Sequence, residues 1–241
     1  AITVEILIAY KNAHWNRLGF FLALALIKPN IMLLPVIALG SWLIRTKAWR
    51  PVLVAGIVLI VLTLITTILT PDWYQPFARP NFGQGLTKVL DGPDQVTGTR
   101  LNTTLLDWLK WYSIPPIARN VIYGITVIAG LWILLERIWR SNSILDVTVT
   151  ALLVSFATTP YALQYDFPPL TVPMFAAVAA ADPSRSKWVP TILLTFITSV
   201  LLWERPISDG YWIVLGLCLL AAWVSHSARF ISRQPDWNAN A

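Results

Sequence analysis

An all-α, polytopic membrane bundle is the fold class this sequence predicts, and three observations predict it. Of the 241 residues, 56% are hydrophobic and only 12% are charged, about half the charge of an ordinary soluble domain. Apolar runs of membrane-crossing length recur along the chain. Short basic clusters separate those runs, and counting the runs as crossings puts the clusters on one side. The net charge of +6 therefore reports membrane-side loops. It is spread in pairs and triplets rather than an arm, so no nucleic-acid partner is expected. The single cysteine, Cys218, excludes an internal disulfide, and His14 and His226 are far from it in sequence. No metal site and no cofactor are expected from that set.

The chain opens "AITVEILIAYKN", with neither an initiator methionine nor a signal-peptide n-region. It reads as the tail of a span already under way, so an upstream portion is expected. Lys11 and Arg17 form the first cluster. Residues 18–44 follow as an apolar segment carrying Lys28, Pro29, Asn30 and Pro35. One straight helix there would be about 40 Å long, excessive for a core of about 30 Å. The two prolines also argue against it. The spacing favours a hairpin of two short helices, its vertex at Lys28-Pro29-Asn30 and its second arm starting near Ile31. Neither arm, at about 20 Å, crosses alone, and such a vertex must line a polar cavity. The hairpin also keeps Lys11/Arg17 on the side of the other clusters. Lys28 beside a helix N-terminus suits a phosphate. The plain alternative is a lysine that snorkels to the interface.

Arg45, Lys47 and Arg50 are expected to set topology and to meet anionic lipid. From them residues 51–70 run outward as a full crossing. Residues 71–119 form an extracytoplasmic loop, opening "PDWYQPFARPNFGQG" with its proline, glycine and aromatic loop chemistry. Within it, Leu101, Leu105, Leu109 and Tyr112 share a helical face and predict a short interfacial helix. Residues 120–135 return to Arg137 and Arg140. Residues 144–163 and 167–181 form the next pair, ending at Arg185 and Lys187. Residues 188–203 and 211–226 form the last, ending at Arg229 and Arg233. The C-terminus is then cytoplasmic. Residues 1–241 make one transmembrane domain of about seven to nine membrane helices.

Two further clusters are candidates for ligand contact. Trp73, Tyr74, Phe77, Arg79 and Phe82 stand just outside a span, where stacking on a sugar competes with a simple interfacial belt. Tyr161, Tyr165 and Asp166 sit at the outer turn of a span pair, where Asp166 could bind hydroxyls or merely cap a helix. Asp146, at the start of its span, reads as a cap. Glu204 and Arg205 read as a solvated pair.

The order "GFFLALALIKPNIMLLPVIALGSWLIRTKAWRPVLVAG" resembles the glycosyltransferase family 87 (DUF2029) proteins, multi-span enzymes of the GT-C type. The shared features are a short apolar helix, a Lys-Pro break ("LALIKPN"), a second apolar helix and a basic loop ("RTKAWR"). Pro71-Asp72-Trp73 and "TTPYALQYDFPPL" extend the resemblance over about residues 18–181, with Asn30 where the family has glutamine. The resemblance implies a hexosyltransferase moving a sugar, typically mannose, from a polyprenyl-phosphate donor to a lipid or glycan acceptor. The reaction would take place at the outer face of the cytoplasmic membrane. It implies a donor phosphate on Lys28 and Asn30; Tyr161, Tyr165, Asp166, Trp73, Tyr74 and Arg79 are the candidates for sugar or acceptor contacts. The family's general base lies in an early outside loop, so the catalytic base is expected upstream of Ala1. A transporter or flippase for a lipid-linked or polyanionic substrate is the first alternative, since broken helices also serve transport. A non-catalytic membrane subunit is the second.

Overall fold

A computed structural model of the chain describes residues 2–27, 29–72 and 105–159, with backbone alone at 29, 30, 107, 108 and 111. Everything regular among them is helical. The order is α1 (Ile2–Lys11), α2 (Trp15–Ala25), α3 (Pro29–Arg45), α4 (Trp49–Leu69), α5 (Leu105–Trp111), α6 (Pro116–Arg140) and α7 (Ile144–Thr158).

The apolar segment is broken as the prolines predict. α2 ends at Ala25, the Leu26 and Ile27 amides close its last turn on Ala23 and Leu24, and α3 begins at Pro29. Pro29 therefore takes the first helical position, where a missing N–H costs nothing and φ is already helical. This is two residues earlier than Ile31. Pro35 does not end α3 but lies inside it. By length, α2 spans about 16 Å and α3 about 25 Å, so neither equals a full bilayer core.

Hydrogen bonds fix which ends lie together. Arg50 Nε donates to Asn16 Oδ1 at 3.0 Å, which joins the starts of α4 and α2. Trp42 Nε1 donates to the Ser141 carbonyl at 2.9 Å, and Arg45 donates to the Trp139 carbonyl at 2.7 Å. A second Arg45 nitrogen reaches the Ser141 carbonyl as well. The ends of α3 and α6 thus meet. At the opposite end, Ser155 Oγ donates to the Ile31 carbonyl at 2.6 Å and Tyr123 Oη donates to the Thr158 carbonyl at 2.5 Å. Arg17, Arg45, Arg50, Arg137 and Arg140 consequently gather at one end of the bundle, as the charge pattern predicts. The helix break lies at the other.

Within this frame α3 touches α2 and α4 on one side and α6 and α7 on the other, and α5 packs on α6. The core runs from Ile6, Leu18 and Leu22 through Leu39, Trp42 and Leu43 to Val147, Leu152 and Leu153. Tyr10 sets its ring edge against both Trp15 and Trp42, closing the core at the basic end. Two close approaches depend on glycine. A Cβ on Gly19 would strike the Pro51 carbonyl oxygen and come within 2.7 Å of Val54 Cβ. A Cβ on Gly130 would come within 2.9 Å of Val154 Cγ1. Small residues that let helix backbones approach are how helices associate where burial in lipid gives no hydrophobic drive.

Two described helices, Trp49–Leu69 and Pro116–Arg140, are long and apolar enough to cross a membrane. On α4 the apolar side chains face outward: Leu53, Ile57, Ile60, Leu64, Ile65, Ile68 and Leu69 are all exposed. α6 shows the same inversion, with Ile117, Val121, Ile125, Ile128 and Trp132 outside and Arg119, Gly130, Leu134 and Arg137 inside. A surface of that size and character is stable against lipid rather than water. The hydroxyls on it support this. Thr66, Thr67 and Thr126 each donate to the carbonyl four residues earlier, at 2.8 to 3.0 Å. No solvent partner is then required.

Several sequence expectations change in detail. The crossing expected over 120–135 is α6, which starts at Pro116 because Pro115-Pro116 supplies an extended residue and then a pre-set first helical position. In the run expected over 144–163, α7 ends at Thr158, and residues 160–163 lie outside the described residues. Thr159 is extended, as a residue before proline must be. Of the expected interfacial face, Leu105 and Leu109 are buried against Ile114 and Tyr123, but Tyr112 lies past the end of α5 and is 62% exposed. Leu101 lies outside the described residues, as do the expected spans beyond residue 159.

Candidate functional site

The end of the bundle at the helix break is the candidate site, and it is built by three chain segments. α3 presents its N-terminus there, where backbone N–H groups of the first turn have no partner within the helix and favour negative charge. α7 contributes its last turn, Ser155 to Thr158, and the buried Thr159. α6 contributes its first turns, where Arg119 is 8% exposed and Tyr123 lies four residues further along the same face. α5 closes over Tyr123 with Leu105 and Leu109.

The central feature of this end is the Ile31 carbonyl. In a regular helix it would accept from the N–H of residue 35, four positions on. Residue 35 is proline and has no N–H. Ser155 Oγ fills the vacancy across the helix interface at 2.6 Å, with Ile31 1% exposed and Ser155 3% exposed. A buried carbonyl left without a donor costs about 1–3 kcal/mol. α3 and α7 are therefore joined next to the break by a bond that α3 cannot make for itself. Tyr123 makes a second tie by donating to the Thr158 carbonyl at the end of α7.

The basic end is organised differently. Arg137 and Asp146 face each other at 3.9 Å with side chains 7% and 8% exposed. Asp146 is not the cap that the sequence suggests. Ser143 takes that place, accepting from the Asp146 N–H at 3.4 Å, and this leaves the carboxylate to the arginine. Arg45 is likewise not only a surface cation, because it donates to the last carbonyls of α6. Glu5, whose depth the sequence does not give, pairs with Arg17, and Glu136 pairs with Arg140 one turn later. The carboxylates of Glu5, Glu136 and Asp146 are thus each held by an arginine. Among the described residues no group of three histidine, cysteine or acidic side chains could hold a metal ion.

Of the residues expected to touch a ligand, Lys28, Trp73, Tyr74, Arg79, Tyr161, Tyr165 and Asp166 lie outside the described residues, as do Phe77, Phe82, Glu204 and Arg205. Asn30 is described in backbone only, in the first turn of α3. The described chain flanking them meets at one end: Ile27 and Pro29 border the break, and Thr159 precedes the segment holding Tyr161 to Asp166. Ser155, Tyr123 and Arg119 were missed by the sequence reading. Arg119 carried a signal, a charge just before an apolar run. For Ser155 the signal was half present, because Pro35 demands an outside donor without saying which.

No family profile, curated protein or solved structure matches the chain.

Proposed function

We propose that this chain is a multi-span membrane hexosyltransferase of the GT-C type, similar to glycosyltransferase family 87. It would carry about seven to nine membrane helices with its C-terminus cytoplasmic. The sugar, of which mannose is the first candidate, passes from a polyprenyl-phosphate donor to a lipid or glycan acceptor at the outer face of the cytoplasmic membrane. The single observation that supports this most is the helix break set at the end of the bundle opposite the arginines. If the arginine end is cytoplasmic, the break faces outward. That is where a polyprenyl-phosphate headgroup would lie.

In this reading Lys28 and Asn30 hold the donor phosphate. Lysine is a compact charge that suits a monophosphate and stabilises the phosphate as the glycosidic bond breaks. Tyr161, Tyr165, Asp166, Trp73, Tyr74 and Arg79 are the proposed sugar and acceptor contacts.

The test is transfer of radiolabelled sugar from polyprenyl-phosphate donors by membranes containing the intact protein. Lys28→Ala should lower transfer at least tenfold, the equivalent of about 1.4 kcal/mol of transition-state stabilisation. Unchanged turnover and donor affinity would remove Lys28 from the site. Movement of a lipid-linked substrate across vesicle membranes without any glycosidic product would favour a flippase.

A further inference from the structure

We propose that Ser155 is a positioning residue that holds the first turn of α3 against α7, in place of the hydrogen bond that Pro35 removes. The inference rests on the functional reading only for what the held turn binds; the tie itself stands on geometry. The Ile31 carbonyl is buried, and the residue that would serve it inside α3 is a proline. Its donor is the Ser155 hydroxyl of α7, at 2.6 Å.

Ser155 makes this bond from a helix on which two other hydroxyls stay at home. Thr148 donates to the Ile144 carbonyl at 2.7 Å and Thr158 donates to the Val154 carbonyl at 2.8 Å, both on α7 itself. Ser155 alone among these three turns away from its own helix. It reaches the turn that opens α3, two residues after Pro29 and on the immediate far side of the break. Proline inside the helix and serine on its neighbour therefore form one device. The proline frees a carbonyl one turn from the break, and the serine uses that carbonyl to set where the break lies. A helix start that must present its N–H groups to a phosphate gains from being fixed by a neighbour, because orientation set before binding is not lost on binding.

A double-substitution cycle tests the pairing directly. Ser155→Ala removes the donor. Pro35→Ala gives residue 35 an N–H, which can serve Ile31 from within α3. In the intact protein, amide hydrogen exchange over residues 31–36 should rise about tenfold with Ser155→Ala alone. In the Pro35→Ala background the same serine substitution should change exchange less than twofold. In the transfer assay, Ser155→Ala should raise the donor KM about tenfold while kcat changes less, and Pro35→Ala should rescue it. A general packing defect would act equally in both backgrounds. Equal effects of Ser155→Ala with and without Pro35, or no effect in either, overturn the proposal. A coupled exchange result in a protein that transfers no sugar upholds the tie and overturns the transferase reading instead.

Discussion

α4 and α7 are both apolar helices without a charge in their interiors, and the fold uses them in opposite ways. The most apolar window of α4 has none of its residues buried. α7 is buried on every side, from Ile144 and Val147 through Leu152 and Leu153 to Ala157. Hydropathy does not separate them. Helix length does, and so does one hydroxyl, that of Ser155. α4, with 21 residues, is long enough to cross a bilayer, and its Thr66 and Thr67 close on their own helix. α7, with 15 residues, is too short for an unaided crossing and sends Ser155 to another helix. A helix meant for lipid must satisfy itself, whereas a helix meant for the interior can complete its neighbours.

The largest way to disturb this difference acts on the interior helix. Asp146→Ala leaves Arg137 buried without its carboxylate, and removing one partner of a buried pair costs about 3–5 kcal/mol. The unfolding temperature of the detergent-purified protein should fall sharply. Replacing both residues, Asp146→Leu with Arg137→Met, should recover most of the loss. A small effect of Asp146→Ala would show that the pair contributes little to the α6–α7 contact.

A charge on the outer helix acts next. Ile60 lies near the middle of α4 and is 61% exposed. If α4 faces hydrocarbon, Ile60→Lys should oppose insertion by about 2.5–3.5 kcal/mol. Measured membrane insertion of α4 should drop accordingly. Unchanged insertion and improved solubility without detergent would mean that α4 is covered by protein or faces water.

The sequence showed this architecture unevenly, and the reasons are physical. Helices, the break and the one-sided arginines were legible because each depends on local signals: apolar length, proline and charge. Which apolar helix is inside was not legible, because burial depends on neighbours. Several helix ends were also hidden. α1, α3 and α5 finish with Ala13, Lys47 and Ser113 at φ of 53°, 63° and 53°, positions where glycine is the usual signal. In each, the following residue closes the turn, as His14 N–H does on the Ala9 carbonyl at 2.8 Å. Near the candidate site, the sequence makes the helix break legible through Pro29. It could not give the Ser155 and Tyr123 ties, which join residues 124 and 35 positions apart.

The smallest expected effect is also the sharpest comparison, because one substitution should act with opposite signs at two glycines. Both lie in the packed pair α2 and α4. At Gly19 an added methyl meets the Pro51 carbonyl oxygen and Val54, so a backbone atom would have to move. At Gly56 an added methyl meets nothing within 4 Å. Alanine is favoured over glycine in a helix by about 1 kcal/mol at either position. At Gly19 that gain is opposed by overpacking of about 1–3 kcal/mol, which wins for most of that range. Gly19→Ala should therefore lower the unfolding temperature and loosen α2 from α4, while Gly56→Ala should leave it unchanged or raise it slightly. If the two variants behave alike, the close approach at Gly19 does not hold the pair together. The contact that carries α4 would then have to be sought at its other neighbour, α3.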